Sequence, residues 1–212
     1  MQLSRMKGHL VHLLLIRHAL PSRSEQGHGS DPPLSELGAV MAGRLPSGLR
    51  RHRITRVVSS PQLRARQTAQ PIADEFGVPL EVFEGLAEYD YGLSEYVPVE
   101  QMRAENPEGL ARLLDGELPD GVDVGEFTGR VKAAARQLAD SARSRDVVAV
   151  ITHGGVINVL MQKALETPKL FPFRLDYASI SDLSISAQGR EAIVMVNNIE
   201  HVWDLLPRLQ GR

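Results

Sequence analysis

The 212-residue chain contains no cysteine, which excludes a disulfide framework, a thiol nucleophile and a thiolate metal site. Aromatic residues make up only 5% of the chain. No stretch approaches the ~18 consecutive apolar residues of a membrane-spanning helix. The formal net charge is −2, so no global positive field would attract nucleic acid or an acidic membrane. We therefore expect a globular protein that binds neither, and the lack of cysteine fits a cytoplasmic location.

The N-terminal segment has a basic start followed by an apolar run, which partly resembles a signal peptide. The run is short, contains His12 and lacks a small-residue cleavage site. We therefore interpret Val11 to Ile16 as the first strand of the fold, covered on both faces.

Short apolar runs alternate with amphipathic segments along most of the chain. Strands are predicted over residues 11–16, 54–60, 78–83 and 146–152. Helices are predicted over residues 35–46, 60–77 and 123–142, and after Gly155 through Leu165. In the first of these helices Ser35 is the expected N-cap and Pro46 the end; in the second, Ser60 is the expected cap and Pro61 the first helical residue. The alternation favours an α/β fold with a mostly parallel sheet and helices on both faces.

Two regions depart from this alternation. Residues 84–121 are rich in acidic, aromatic and proline residues, and we interpret them as an insert of loops and short helices within a single domain over residues 1–212. Near the C-terminus, two alternating runs flank a turn at residues 188–190, which predicts an antiparallel hairpin at a sheet edge. A homodimer that pairs residues 192–196 across a two-fold axis is one expectation.

Polar clusters follow three of the predicted strands: Arg17-His18, Ser59-Ser60 with Arg64 one turn later, and residues 152–155. Since carboxyl ends of parallel strands meet at one rim of a sheet, two imidazoles and two guanidinium groups should converge there. Helix N-termini and glycine backbone at the same rim favour an anion. Guanidinium groups bind phosphate particularly well, so the sequence predicts a phosphate pocket.

An imidazole in such a pocket is also a competent nucleophile toward phosphorus, and His18 is our candidate. Nearby arginines should lower the pKa of His18, and its second ring nitrogen should donate to a backbone carbonyl. The leaving oxygen needs a proton, for which the insert offers Glu88 in "LAEYDYG", with Asp90 as a competitor. A bound phosphate should raise the pKa of this carboxyl.

Four segments in this order, "LIRHA", "SSPQLRARQTA", "GLAEYDYG" and "VITHGGVI", resemble the motifs of the histidine phosphatase superfamily, the phosphoglycerate-mutase-like fold. The resemblance spans roughly residues 10–200. It implies a three-layer α/β/α sandwich with one antiparallel edge, a phosphohistidine intermediate and no metal or other cofactor. It assigns the phosphorylated histidine to His18, the second histidine to His153, the arginines to Arg17 and Arg64 rather than Arg66, and the proton donor to Glu88. Gly154 is a further phosphate-binding candidate on its own account, because glycine lets the backbone approach an anion closely.

The sequence departs from the family pattern at several positions around the first and third motifs. Ala19 stands where glycine is usual, Leu20-Pro21 where Glu-Thr often follows, and Ser24 where asparagine is common. After the acidic residue, residues 94–96 replace a frequent Trp-Glu-Gly. These positions concern recognition of the leaving group, whereas the phosphate-binding residues remain.

The mutases of this family have a larger insert with paired arginines, whereas this insert has only Arg103 and Arg112. We therefore predict a metal-independent, histidine acid phosphatase-like phosphomonoester hydrolase that acts on a small phosphorylated metabolite through a phosphohistidine. One alternative is a phosphoglycerate-mutase-type phosphotransferase. Two others are a phosphate-recognising binding module without turnover and, as the weakest rival, a two-histidine metal hydrolase.

Several other residues have a structural interpretation beside the functional one. Ser24 and Ser60 are expected as caps or loop hydroxyls. The aromatic residues of the insert region either pack it on the body or line a leaving-group pocket: Phe83, Tyr89, Tyr91 and Tyr96. No chemistry is expected of four histidines: His12, His28, His52 and His201.

Overall fold

A computed structural model describes residues 10–22, 31–93, 97 and 99–206. Its strands are β1 (Leu10–Arg17), β2 (Ile54–Ser59), β3 (Leu80–Val82), β4 (Val147–Thr152), β5 (Ile180–Ser186) and β6 (Glu191–Asn198). They form one sheet in the order β3-β2-β4-β1-β5-β6. The first four strands are mutually parallel, and β5 runs antiparallel to both β1 and β6. The predicted parallel sheet with a C-terminal antiparallel hairpin at its edge is confirmed.

Helices cover both faces of the sheet. They are α1 (Glu36–Leu49), α2 (Leu63–Phe76), α3 (Val99–Glu105), α4 (Pro107–Leu114), α5 (Val124–Ser141) and α6 (Gly154–Leu165), with 3-10 turns at Glu84–Leu86 and Glu200–Leu205. One buried core joins the sheet to α5 and α6, and a second joins it to α1 and α2. The fold is therefore the predicted α/β class in three layers. Among the helices of the described residues, none combines the length and apolarity needed to cross a membrane.

The unbroken apolar run of β1 follows from its place in the sheet. Leu13 and Leu15 face the core with α5 and α6, whereas Leu14 and Ile16 face the core with α1 and α2. Because successive side chains of a strand point to opposite faces, a strand covered on both faces needs apolar residues at nearly every position. The exception, His12, contacts the carboxylate of Asp182, with its Nδ1 atom 2.9 Å from Oδ1.

Two helix caps agree with the sequence. Ser35 accepts the backbone N–H of Gly38 at 3.0 Å, and Asp123 accepts that of Glu126 at 2.9 Å. The predicted end of the first helix at Pro46 is wrong, because α1 continues to Leu49. The extra turn buries Leu49 completely, and this burial offsets the helical hydrogen bond that proline cannot donate.

The predicted start of the second helix is also wrong. It begins at Leu63, after the N-cap position of Gln62, rather than at Pro61. The carboxylate of Asp31 accepts the free N–H of Leu63 at 2.7 Å, while the hydroxyl of Ser60 contacts the imidazole of His153. The side chain expected to cap the helix is therefore engaged with another part of the chain.

Residues 84–121 contain a 3-10 turn followed by α3 and α4, as expected for an insert of loops and short helices. Predictions concerning Ser24, His28 and residues 94–96, including Tyr96, fall outside the described residues.

Candidate active site

The predicted site residues lie in one cavity of about 530 Å³ at the carboxyl ends of the parallel strands. The strands that carry the histidine motifs, β1 and β4, are neighbours in the sheet. The ring centroids of His18 and His153 are consequently only 5.1 Å apart. All six predicted residues line the cavity: Arg17, His18, Arg64, Glu88, His153 and Gly154.

His18 is held in a defined tautomer. Its Nδ1 atom lies 2.8 Å from the backbone oxygen of Ala19. Since a carbonyl oxygen only accepts hydrogen bonds, Nδ1 carries the proton and the lone pair of the neutral ring lies on Nε2. Burial lowers the pKa of His18 well below its ordinary value, and the charges of Arg64 and Arg17 lower it further. The ring is therefore neutral at physiological pH, as a nitrogen nucleophile requires.

His153 is oriented by Ser60, with its Nε2 atom 2.8 Å from the hydroxyl oxygen. Its Nδ1 atom is buried and has no hydrogen-bond partner among the described residues. Burial lowers the pKa of His153 well below its ordinary value, with a further contribution from Arg64. When the Ser60 hydroxyl donates to Nε2, the neutral ring carries its proton on Nδ1, which can then donate to an oxyanion.

Arg17 is fixed by contacts beyond its own motif. Its Nη1 atom donates to the backbone oxygen of Leu175 at 2.7 Å. The guanidinium carbon lies 3.9 Å from the ring centroid of Tyr177, within the range of a cation–π contact. Tyr177 also lies beside His18, with 5.6 Å between the ring centroids. No motif in the sequence pointed to Tyr177, because its position beside Arg17 depends on how the chain enters β5.

Arg64, the arginine predicted from the sequence, is fully buried and lines the cavity, whereas Arg66 is exposed. Its Nη2 atom donates to both carboxylate oxygens of Asp90, at 2.9 and 3.1 Å. Gln62 donates to the same carboxylate at 2.8 Å. Burial raises the pKa of Asp90, and the guanidinium opposes that shift. Asp90 is thus an ion-pair partner of Arg64.

Glu88 is buried, and its Oε2 atom accepts the backbone N–H of Gly155 at 2.8 Å. A Cβ atom at Gly155 would collide with this carboxylate, so the close approach requires glycine there. Burial raises the pKa of Glu88 to about 7, and the charge of Asp90 contributes. A carboxyl with this pKa is present in both protonated and ionised forms at neutral pH, so it can donate a proton or accept one.

The segment before Glu88 is fastened by side chains from three other elements. Arg130 of α5 donates to the backbone oxygens of Gly85 and Ala87, at 3.1 and 2.9 Å. Thr152 at the end of β4 donates to the Leu86 oxygen at 2.9 Å, and Gln62 accepts the N–H of Glu88 at 2.8 Å. The sequence alone did not indicate Arg130 or Gln62, because both residues act by holding the backbone near Glu88 and belong to no catalytic motif.

This geometry agrees with a comparison to known protein families. The family model described as "Histidine phosphatase superfamily (branch 1)" matches residues 13–199. The chain belongs to the histidine phosphatase superfamily. The resemblance of the four motifs is thereby confirmed.

The curated relatives include a protein named as bifunctional and proteins named as probable mutases. The "Bifunctional protein Rv2228c" of Mycobacterium tuberculosis is 30% identical over 201 residues, which cover 90% of this chain and 55% of that protein. The chain thus spans about half the length of the first curated relatives it matches. The "Probable phosphoglycerate mutase GpmB" of Yersinia enterocolitica is 27% identical over 168 residues, 75% of this chain and 77% of that protein.

Among solved structures, the mycobacterial glucosyl-3-phosphoglycerate phosphatase Rv2419c superposes with a TM-score of 0.73. It is 25% identical, and the match covers 88% of this chain and 98% of that one. Superfamily membership and these relatives support an enzyme, and they include both phosphatases and mutases.

In this member of the histidine phosphatase superfamily, the rest of the cavity is lined mainly by apolar side chains from the insert and from the segment before β5. Arg103 and Arg174 also line it, whereas Arg112 does not appear among the lining residues. Of the aromatic residues of the insert, Tyr89 lines the cavity and packs edge-on against Phe127, with 6.0 Å between centroids. Tyr91 is half exposed to solvent and does not line the cavity.

Proposed function

We propose that this protein is a metal-independent phosphomonoester hydrolase that acts through a phosphohistidine on His18. The observation that carries the proposal is the state of His18: a neutral ring whose Nδ1 proton is bound to the Ala19 oxygen, leaving the Nε2 lone pair available in the cavity. The arginines beside it supply positive charge for a phosphoryl group. The relatives named as phosphatases and mutases support the same class of chemistry.

In the first step, Nε2 of His18 attacks phosphorus and the bond from phosphorus to the leaving oxygen breaks. Glu88 transfers its proton to that oxygen, so the product departs as a neutral alcohol. Arg17, Arg64 and the Nδ1–H of His153 stabilise the charge on the non-bridging oxygens during the transfer. The Ala19 carbonyl stabilises the positive charge that His18 acquires.

In the second step, water attacks phosphorus and the bond between phosphorus and Nε2 breaks. The ionised Glu88 takes a proton from this water, which regenerates the protonated carboxyl and the neutral ring of His18. Inorganic phosphate is the product. A pKa of about 7 suits Glu88 to both steps, because neither protonation state is strongly favoured at neutral pH.

The decisive test replaces His18 with alanine and measures release of inorganic phosphate in the presence of EDTA. We expect H18A to lose at least about 10⁴-fold in kcat, since removal of a nucleophile leaves only binding and charge stabilisation. The wild-type protein should also form an acid-labile phosphoryl adduct at His18 during turnover. A matched control, His52→Ala, changes a histidine that does not line the cavity and should leave kcat unchanged.

Near wild-type turnover by H18A would refute the mechanism. Loss of wild-type activity with chelator would revive metal-assisted hydrolysis. If the wild-type protein neither releases phosphate nor labels His18, a binding module without turnover becomes the better description.

A mutase is a second candidate because Arg103 and Arg174 line the same cavity as the residues that would bind the phosphoryl group. Their guanidinium groups could bind the carboxylate of a phosphorylated hydroxy acid whose phosphoryl group lies at His18. Product analysis with 3-phosphoglycerate separates the two activities. An isomeric phosphoglycerate as the main product would favour the mutase, and inorganic phosphate the hydrolase.

A further inference from the structure

The cavity extends well beyond the space that a phosphoryl group needs. Its volume of about 530 Å³ lies within the ~300–1,000 Å³ typical of pockets for drug-sized ligands. The residues assigned above to phosphoryl transfer gather at the end formed by the strands, which we call the phosphoryl-binding end. The opposite end is lined by six apolar side chains that we call the apolar wall: Met102, Leu110, Leu113, Leu114, Phe171 and Phe173.

The apolar wall is produced by regular helix geometry. Leu110, Leu113 and Leu114 are spaced three and four residues apart on α4, so they lie on one face of that helix. Met102 reaches the cavity from α3. Two short helices thus turn their apolar side chains toward the space in which the leaving group of a substrate bound at His18 would lie.

The third part of the wall is held by a buried amide. Asn158 of α6 donates to the backbone oxygen of Phe173 at 3.0 Å and accepts its N–H at 2.9 Å. It also donates to the oxygen of Gly154 at 2.9 Å, next to His153. Phe173 is therefore tied directly to the helix that begins next to His153, which fixes this part of the wall relative to His153.

The wall offers no hydrogen-bonding side chain to a leaving group. A sugar or polyol placed against it would lose hydrogen bonds to water without replacement, which is unfavourable. A hydrocarbon group placed there would instead leave water with a favourable free energy. Arg103 and Arg174 also line the cavity, but both are exposed to solvent, whereas Leu110, Leu113 and Phe171 of the wall are buried.

We propose that the leaving group of the substrate is a bulky hydrocarbon alcohol, rather than a sugar, a polyol or a hydroxy acid. This inference rests on the proposed hydrolase and specifies its substrate class more narrowly than a small phosphorylated metabolite. The apolar wall is continuous with the phosphoryl-binding end, so both parts of such a monoester are bound in the same cavity.

A homologous series of primary alkyl phosphates tests the inference, because ethyl, butyl and hexyl phosphate share the same leaving-group chemistry and differ in length. Full burial of each CH₂ corresponds to an increase of about fourfold in kcat/KM. With partial burial, we expect hexyl phosphate to exceed ethyl phosphate by at least about 20-fold. Initial rates of phosphate release at subsaturating substrate give the ratio.

Two leucines provide a matched pair of variants. Leu114 is the last residue of α4, lines the cavity and is 48% exposed; Leu165 is the last residue of α6, does not line it and is also 48% exposed. Leu114→Gln should reduce the hexyl-to-ethyl ratio about 3- to 10-fold by placing an amide in the wall. Leu165→Gln should leave the ratio unchanged. Met102→Gln should act like Leu114→Gln, and circular dichroism verifies the fold of each variant.

The outcomes distinguish this inference from the proposed function. Ethyl phosphate hydrolysis with labelling of His18, but no increase along the series, would overturn the apolar leaving group and leave the hydrolase intact. A higher kcat/KM for glycerol 3-phosphate or 3-phosphoglycerate than for hexyl phosphate would have the same meaning. If no monoester is hydrolysed and His18 is not labelled, both proposals are refuted.

Discussion

The two ends of the cavity are built in different ways. At the phosphoryl-binding end, the side chains of His18, Arg64 and Glu88 are buried, and each is fixed by a hydrogen bond to backbone or to a buried partner. At the apolar wall, side chains of α4 are fixed by packing, and Leu114 remains half-exposed. One end therefore depends on exact polar geometry, and the other on shape and apolarity.

This difference predicts two classes of mutational effect. A change at the phosphoryl-binding end should alter the rate by the same factor for every alkyl phosphate, because all of them share the transferred group. A change at the apolar wall should alter the ratio between long and short substrates. Three variants at the phosphoryl-binding end test the first expectation, and the variants of Leu114 and Leu165 test the second.

Glu88→Gln should produce the largest effect of the three, a decrease of about 10²- to 10⁴-fold in kcat/KM for ethyl and hexyl phosphate alike. The acid form of Glu88 is the proton donor, so wild-type kcat/KM should fall as the pH rises through about 7. This dependence should disappear in E88Q. 4-Nitrophenyl phosphate, whose leaving group needs no proton, should lose much less activity. An equal loss for this substrate would argue against the donor role.

Asp90→Asn should shift the pH dependence and lower the rate by about 10-fold at slightly alkaline pH. The negative charge of Asp90 helps to raise the pKa of Glu88, so its removal lowers that pKa. Less Glu88 is then protonated above neutral pH, and the decrease in kcat/KM begins at lower pH than in the wild type. Asp74→Asn is the control, because Asp74 is an exposed residue of α2 that does not line the cavity. An unshifted profile in D90N would show that the two carboxyls are not coupled.

Ser60→Ala should have the smallest effect, about 2- to 5-fold in kcat/KM, which corresponds to a hydrogen bond worth ~0.5–1 kcal/mol. Without the hydroxyl, the proton of His153 is no longer held on Nδ1, but the ring remains in place. The pH profile should keep its position, in contrast with D90N. Ser47→Ala removes an exposed helical hydroxyl and should have no effect. A loss that differed between ethyl and hexyl phosphate would contradict the division of the cavity into two ends.

The same division describes what the sequence could predict. The residues of the proposed chemistry lie in short motifs at strand ends. Because the carboxyl ends of parallel strands meet at one rim of a sheet, the sequence alone predicted that His18 and His153 lie close together. Arg64 could be chosen over Arg66 from its place in a motif. The bond from His18 to a backbone carbonyl also followed from general chemistry, although the partner Ala19 did not.

Residues outside the motifs could not be found in this way. Asn158, Arg130 and Tyr177 act through partners far away in the chain, and nothing in their immediate surroundings indicates those partners. Both errors in helix boundaries have the same origin. Local rules end a helix at Pro46 and make Ser60 a cap, but long-range burial of Leu49 and the contact of Ser60 with His153 outweigh those rules.

The position of β1 and β4 at the middle of the sheet has a consequence for motion. Their amides are bonded to neighbours on both sides, and such hydrogen bonds generally open only when the whole domain unfolds. By contrast, α4 is held to the body by side-chain packing, such as that of Leu113, and no hydrogen bond between the described residues joins it to the sheet. In hydrogen–deuterium exchange, the backbone of β1 and β4 should therefore be protected far longer than that of α4. For the proposed hydrolase, local opening of α4 would leave the groups on the strands in register.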